Sequence, residues 1–228
     1  MNVNPLTNIN FGWNIKTHEY ITRKALEGTP YLSPQEINEI AKYSQEPDLI
    51  KEELVDMSSG HFYDALHVDP SFGTIDDERN NALSRCVNHS KKAEEAVVKK
   101  DREGFKKAIG YSVHYLQDGA TPPHTEHGNY LHKLYRLPMH IQFERGKKLG
   151  ASSRLDILEA NYKPEEIPFT SLEMLFHNTA LFTVQPENHV SYTNVRRWAE
   201  IQQRCVNRAI NATKAYFEHI LPKIPLPL

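Results

Sequence analysis

The pattern that most constrains the fold of this chain is a helical spacing of apolar residues, with no segment that alternates as a β-strand does. Asp101 is a typical N-cap, and Gly119 followed by Pro122-Pro123 is expected to end the helix that begins there. Apolar residues within this segment are three or four positions apart, which places them on one helix face: Phe105, Ile109, Val113 and Leu116. The segment therefore predicts a helix with one face in the core.

Similar patterns predict helices before and after this segment. Thr17 is expected to cap a first helix that ends near Gly28 and Pro30. The sequence Ser33-Pro34-Gln35-Glu36 has the residues of a capping box and predicts the start of a second helix. Helical spacing also predicts helices over residues 78–100, 130–149, 164–183 and 190–220, whereas residues 56–75 have the composition of a loop. We therefore expect an all-α fold, a single compact multi-helix domain.

Composition excludes several classes of protein. The formal net charge of −2 over 228 residues gives no basic face for duplex nucleic acid. No apolar stretch reaches the roughly 20 residues of a transmembrane segment. The first residues lack an export signal, so the chain as it stands is expected to be cytoplasmic. With only Cys86 and Cys205, a zinc site of paired thiolates is excluded, and both are expected in helix cores. The oligomeric state stays open.

The most informative residues are the histidines, of which the chain has twelve. His114 and Asp118 are four residues apart, so both project from one face of a helix and can share a metal ion. His140 and Glu144 repeat this spacing. One such pair is often only a surface ion pair worth about 0.2–0.5 kcal/mol. Two pairs, with His124 fixed between them by two prolines, favour a metal site.

The segment from His114 to His124 resembles the signature of the zinc-dependent phospholipases C of bacteria. That family shares its fold with the single-strand-preferring zinc nucleases. Its signature has His-Tyr, Asp, Pro, His and Asn at fixed spacings, and Asn129 follows the segment here. Gln117 stands where the family prefers a small residue, and Gly119 stands where it prefers an apolar one.

The resemblance extends from Trp13 to Glu144 and implies two to three zinc ions, as a trinuclear cluster. The implied ligand groups are His61, His114 and Asp118 for one zinc; His124, His140 and Glu144 for a second; and His18 with the backbone of Trp13 for a third, to which Asp118 would bridge. Imidazoles and carboxylates without thiolates suit catalytic zinc sites better than structural ones.

Asp48, in Pro47-Asp48-Leu49, resembles the acidic residue with which this family holds or deprotonates the attacking water beside the metals. From the residues alone Asp56 is a rival, because loop carboxylates are usually solvated caps or turn formers. The other histidines match no ligand position and are expected to be structural: His67, His89, His127, His132, His177, His189 and His219.

The resemblance also divides the chain. Residues 13–228 are expected to form the catalytic domain, and residues 1–12 a leader or propeptide-like arm. In the family the tryptophan is the mature amino terminus and binds zinc through its amine, so removal of residues 1–12 would add a ligand at Trp13. The family is usually exported, so export is expected if the natural chain begins earlier.

The activity implied is that of a zinc-dependent phosphodiester hydrolase. The first expectation is a phospholipase C that cleaves the glycerol–phosphate bond of phospholipids to diacylglycerol and a phosphorylated headgroup. Lys16, Leu49 and Ser58 stand where choline-preferring members have aromatic and acidic residues, which favours a neutral or anionic headgroup. The alternatives are a single-strand nuclease or other phosphodiesterase of the same fold, and a non-catalytic zinc-binding protein.

Overall fold

The computed structural model describes residues 15–49, 61, 63, 65, 81–125, 162–188 and 197–224. Every regular element in these residues is a helix, which confirms the predicted all-α fold. The helices are α1 (Ile15–Ala25), α2 (Pro34–Tyr43), α3 (Ala82–Val98), α4 (Arg102–Asp118), α5 (Pro122–Thr125), α6 (Leu172–Thr183) and α7 (Trp198–Ile220), with short 3-10 helices at Glu46–Asp48, Pro186–Asn188 and Leu221–Lys223.

The predicted arm at residues 1–12 lies outside the described residues, as does the helix expected over 130–149. So do Trp13, His140 and Glu144, three of the nine predicted site residues.

Helix α4 is the central helix of the described part of the chain. Its residues from Ala108 to Asp118 are all buried. Helix α3 packs along α4, while α2 and α7 contact it on other sides. The predicted apolar face is confirmed, because its four side chains are at most 1% exposed: Phe105, Ile109, Val113 and Leu116. Since α4 is enclosed on all sides, its polar residues near the carboxyl end also lie inside the protein.

Two predicted helix starts are confirmed by the hydrogen bonds that cap them. Ser33 Oγ accepts from the Glu36 backbone N–H at 3.3 Å, and Glu36 Oε2 accepts from the Ser33 backbone N–H at 2.8 Å. Asp101 Oδ1 accepts from the Gly104 backbone N–H at 2.8 Å. Both motifs involve neighbours in sequence, which is why the sequence alone predicts them.

Three predicted helix boundaries are wrong. Thr17 does not cap α1 but is buried within its first turn. Helix α3 begins after Asn81 rather than at residue 78, because the Asn81 side chain caps the backbone there. Helix α6 begins after Ser171 rather than at residue 164. Pro164 and Pro168 lie in the extended segment before it, where their missing N–H groups and ring sterics oppose a helix.

Helices α2 and α4 cross closely at Gly110. A Cβ atom at residue 110 would lie 2.4 Å from Tyr43 Cβ and 3.0 Å from the Ile40 carbonyl oxygen. Such separations are too short for any side chain, so glycine permits the close contact. This contact brings the end of α2, with Ser44 and Asp48 after it, against the part of α4 that carries His114.

Cys86 and Cys205 are both buried, in α3 and α7, as the sequence predicts. Burial raises the pKa of the Cys86 thiol to about 12, so this thiol stays protonated and inert at neutral pH.

None of the described helices combines the length with the apolar character that crossing a bilayer would require.

Candidate metal centre

Six of the nine predicted site residues come together in one buried cluster. Helix α1 supplies one of them, the 3-10 helix after α2 another, and α4 two more, while α5 and the segment around residue 61 supply one each. Each is at most 2% exposed: His18, Asp48, His61, His114, Asp118 and His124. The cluster therefore joins parts of the chain that are far apart in sequence.

Asp118 lies at the centre of this cluster. Its Oδ2 is 2.7 Å from His61 Nδ1 and 3.3 Å from His114 Nε2. Its Oδ1 is 3.5 Å from His124 Nδ1 and 3.7 Å from His18 Nε2. Burial alone would raise the pKa of Asp118, but the positive charges of His114 and His124 lower that pKa well below its ordinary value. Asp118 is thus a buried carboxylate surrounded by imidazoles.

Asp48 faces the same imidazoles from the other side. Its Oδ1 is 3.7 Å from His114 Nε2 and 4.0 Å from His61 Nδ1, and its Oδ2 is 3.9 Å from His18 Nε2. The side chain is fully buried, unlike the solvated loop carboxylate that its surrounding sequence suggests. The rival residue, Asp56, lies outside the described residues.

Two of the histidines are oriented by backbone carbonyl groups. His114 Nδ1 donates to the Ser44 carbonyl oxygen at 2.9 Å, and His124 Nδ1 donates to the His61 carbonyl oxygen at 2.9 Å. A carbonyl oxygen only accepts, so each Nδ1 carries the proton and a neutral ring has its lone pair at Nε2. This is the usual arrangement of metal-binding histidines.

The third histidine with a fixed Nδ1 is His18, which donates to Gln117 Oε1 at 2.7 Å. From the sequence, Gln117 was only a departure from the family signature, and its contact with His18 was not predicted. The signal that could have indicated it is an amide side chain next to Asp118, on a helix predicted to have one face in the core. The sequence could not have indicated the contact between His114 and Ser44, because the carbonyl group that accepts this hydrogen bond belongs to the backbone.

The segment that carries His61 is held against α5 by a pair of hydrogen bonds. Besides the bond from His124 Nδ1 to the His61 carbonyl, the Tyr63 backbone N–H donates to the His124 carbonyl oxygen at 2.9 Å. The Tyr63 hydroxyl is 2.8 Å from His177 Nδ1 on α6. These contacts position His61 relative to the helix that supplies His124.

Three histidines that were expected to be structural lie among the described residues. His89 stacks on Tyr115, with ring centroids 5.8 Å apart, and His219 stacks on Phe169, with centroids 3.9 Å apart. His177 contacts Tyr63, as described above. Aromatic and hydroxyl contacts of this kind are typical of histidines with a packing role.

The charges of the buried residues in the cluster favour the binding of a cation. Burial lowers the pKa of His114, but the charges of Asp118 and Asp48 outweigh it and raise that pKa to about 9. The pKa of His18 is instead lowered to about 3, by burial and by the charge of His114. The charge on His114 thus partly balances two buried carboxylates, which need positive charge beside them.

Two overlapping groups of these residues can hold a metal ion. In each group the ligand atoms all lie within 4.8 Å of one another: His18, His114 and Asp118 in one, and Asp48, His61 and His114 in the other. The distances from His114 Nε2 to His61 Nδ1, 3.2 Å, and to Asp118 Oδ2, 3.3 Å, are ligand separations that suit a tetrahedral ion. For zinc bonds of about 2.0–2.1 Å that separation is roughly 3.3 Å.

Two solved structures that the chain resembles are clostridial toxins. The alpha-toxin of Clostridium absonum matches with a TM-score of 0.65 and 16% identity, over 95% of this chain and 67% of the toxin chain. The alpha-toxin of an avian strain of Clostridium perfringens matches with a TM-score of 0.65 and 15% identity, over 95% of this chain and 65% of the toxin chain. The chain thus spans about two thirds of the length of each toxin.

No protein-family model matches the sequence, and no curated protein matches it. With sequence identities of 16% and 15%, the similarity to the two toxins shows a shared fold alone. The chain has the fold of the clostridial alpha-toxins, and this fold fits the zinc-dependent phospholipase C family that the sequence resembles.

Proposed function

We propose that this chain is a zinc-dependent phosphodiester hydrolase, and specifically a phospholipase C that cleaves the glycerol–phosphate bond of phospholipids. The observation that supports this most is the burial of two carboxylates and four imidazoles in one cluster. Buried carboxylates are costly unless cations compensate them, so their retention indicates a function.

The donor set fits zinc. Imidazole nitrogens and carboxylate oxygens are ligands that zinc prefers, and the described part of the cluster contains no thiolate. Asp118 Oδ1 is buried and has no hydrogen-bond partner among the described residues, which leaves it available to an ion. The proposed ligands are His18, Asp48, His61, His114, Asp118 and His124, together with Trp13, His140 and Glu144 for the full set of two to three ions.

Zinc bound here would polarise the phosphoryl oxygens and lower the pKa of a bound water from 15.7 toward about 7. Asp48 is proposed to orient the attacking water and to take its proton on a carboxylate oxygen. The burial of Asp48 and Asp118 keeps bulk water away from these carboxylates, which strengthens their electrostatic interactions.

Hydrolysis assays with defined substrates test this proposal. Protein reconstituted with zinc is incubated with micellar phosphatidylcholine, phosphatidylethanolamine and phosphatidylglycerol, and in parallel with single-stranded DNA and RNA. Release of diacylglycerol is expected. Phosphatidylcholine should be the poorest substrate, because the positive charge of Lys16 disfavours its cationic choline headgroup. The activity should disappear with a chelator and return with zinc. The Asp118→Asn variant, prepared in the same way, excludes a contaminating enzyme.

Other outcomes of the same assays would contradict the proposal. Release of 5′-nucleotides without diacylglycerol would identify a nuclease of the same fold. Bound zinc without turnover of either class of substrate would identify a non-catalytic zinc-binding protein.

A further inference from the structure

The side chain of Gln117 links two residues of α1 to the candidate metal centre. Its Oε1 accepts a hydrogen bond from His18 Nδ1 at 2.7 Å, and its Nε2 donates to Thr22 Oγ1 at 2.9 Å. All three residues are fully buried. His18 and Thr22 are one helical turn apart on α1, so a single amide on α4 contacts both.

These contacts determine which nitrogen of His18 carries the proton. In the structure the amide oxygen of Gln117 faces His18 and the amide nitrogen faces Thr22. An amide oxygen only accepts, so Nδ1 of His18 holds the proton. The lone pair of the neutral ring is then at Nε2, which faces Asp118 Oδ1 at 3.7 Å and Asp48 Oδ2 at 3.9 Å.

We propose that Gln117 is a positioning residue, which holds His18 in the tautomer and orientation that bind a metal ion through Nε2. Thr22 in turn accepts a hydrogen bond from the amide nitrogen of Gln117. The proposal rests on the metal site of the proposed function. Because the resembling family prefers a small residue at the position of Gln117, this contact is a feature of this chain.

The substitution Gln117→Met tests the proposal, since it keeps the length of the side chain and removes the amide. In metal-free protein labelled with 15N in histidine, we expect the His18 ring nitrogens to lose the pattern of a proton fixed at Nδ1. Zinc titrations should show one ion bound 10- to 100-fold more weakly, the usual effect of losing a partner of a metal-binding histidine. The other ions should bind as before.

Two further variants separate the hydrogen bond from simple packing. Gln117→Glu keeps an acceptor oxygen toward His18 and should restore both the ring-nitrogen pattern and the zinc affinity. Gln203→Met makes the same chemical change on α7, where Gln203 Nε2 donates to Asn207 Oδ1 at 3.1 Å, and should change neither. If Gln117→Met does not fold, Gln117→Ala takes its place, because the resembling family accommodates a small residue there.

The proposal is overturned if the folded Met or Ala variant retains both the ring-nitrogen pattern and every zinc affinity. It is equally overturned if Gln117→Glu fails to restore them. If the unmodified chain binds no zinc, the proposed function fails, and the spectra of the metal-free protein report separately on the contact between Gln117 and His18.

Discussion

At the residue scale, the carboxylate of Asp118 connects the imidazoles of the cluster. Ring nitrogens of His18, His61, His114 and His124 lie 2.7–3.7 Å from its oxygens. Its negative charge also raises the pKa of His114, against the effect of burial. The carboxylate of this one residue therefore lies beside every histidine of the cluster.

We expect Asp118→Asn to weaken zinc binding by about 100-fold or more, since loss of even a supporting partner costs about 10- to 100-fold. Titration with a competing chelator measures this change. The control is Asp101→Asn, the same substitution at the other end of α4, where asparagine also caps a helix. Equal zinc affinities for the two variants would contradict the central place of Asp118.

The prediction for Asp48→Asn differs, because Asp48 is proposed to take a proton from water. We expect the hydrolysis rate to fall about 10²- to 10⁴-fold, the usual contribution of a general base. At least two zinc ions should remain, as measured by elemental analysis of the variant. If the loss of rate instead follows a matching loss of zinc, Asp48 acts only as a ligand and the base lies elsewhere.

The sequence predicts the members of the cluster better than it predicts what orients them. His114 and Asp118 stand out because helical spacing places them on one face. The Ser44 carbonyl that orients His114 could not be predicted, since every residue has such a group and only the packing of α2 on α4 selects this one. Asp48 could be chosen over Asp56 only through the family resemblance.

At the element scale, the distance between α2 and α4 determines where Ser44 and Asp48 lie relative to His114. Gly110, which lies one helical turn before His114 on α4, permits this distance. Local sequence gives no reason for a glycine in the middle of a helix, where it normally destabilises. The reason is the contact with Tyr43 and Ile40 on another element.

Gly110→Ala is therefore expected to destabilise the protein although alanine favours helices. Overpacking costs about 1–3 kcal/mol, against a gain of about 1 kcal/mol in helix propensity. Denaturant unfolding measures the net loss, and Gly110→Val should lose more. Zinc affinity should fall together with stability, because Ser44 and Asp48 move. An alanine variant about 1 kcal/mol more stable than the unmodified chain would contradict the close contact.

Glu36 joins the start of α2 to Arg102 at the start of α4 and also completes the capping box with Ser33. Burial would raise the pKa of Glu36, but hydrogen bonds from Ser33 and Arg102 lower it. A carboxyl group with a lowered pKa stabilises the folded state above its ordinary pKa. That contribution is lost as the pH falls through the folded value.

We expect Glu36→Gln to lower the free energy of unfolding by about 0.5–1 kcal/mol at pH 7. Glutamine can still close the capping box, so the change isolates the charge. The difference between the two proteins should shrink as the pH falls below the ordinary pKa of a glutamate and vanish below the lowered pKa of the folded state. Urea unfolding with a chelator present removes any contribution from metal. A difference that is constant with pH would contradict the role assigned to the charge.

At the scale of the whole molecule, no single segment of the chain could form the cluster. Its members come from α1, the 3-10 helix at Glu46–Asp48, the segment around residue 61, α4 and α5. Among the described residues, the sequence predicted six of the helices and their order, which depend on local spacing: α1, α2, α3, α4, α6 and α7. It did not predict that His114 would belong to both candidate ligand groups, because this depends on how distant segments pack.

The number of zinc ions that the protein binds is the most direct test of the metal centre. Protein purified without chelators, and again after reconstitution with excess zinc and desalting, is analysed for metal by mass spectrometry against its amino-acid concentration. We expect two to three zinc ions per chain, and fewer in Asp118→Asn. Less than one zinc per chain before reconstitution, with no further uptake after it, would contradict the metal centre and the hydrolase proposed from it.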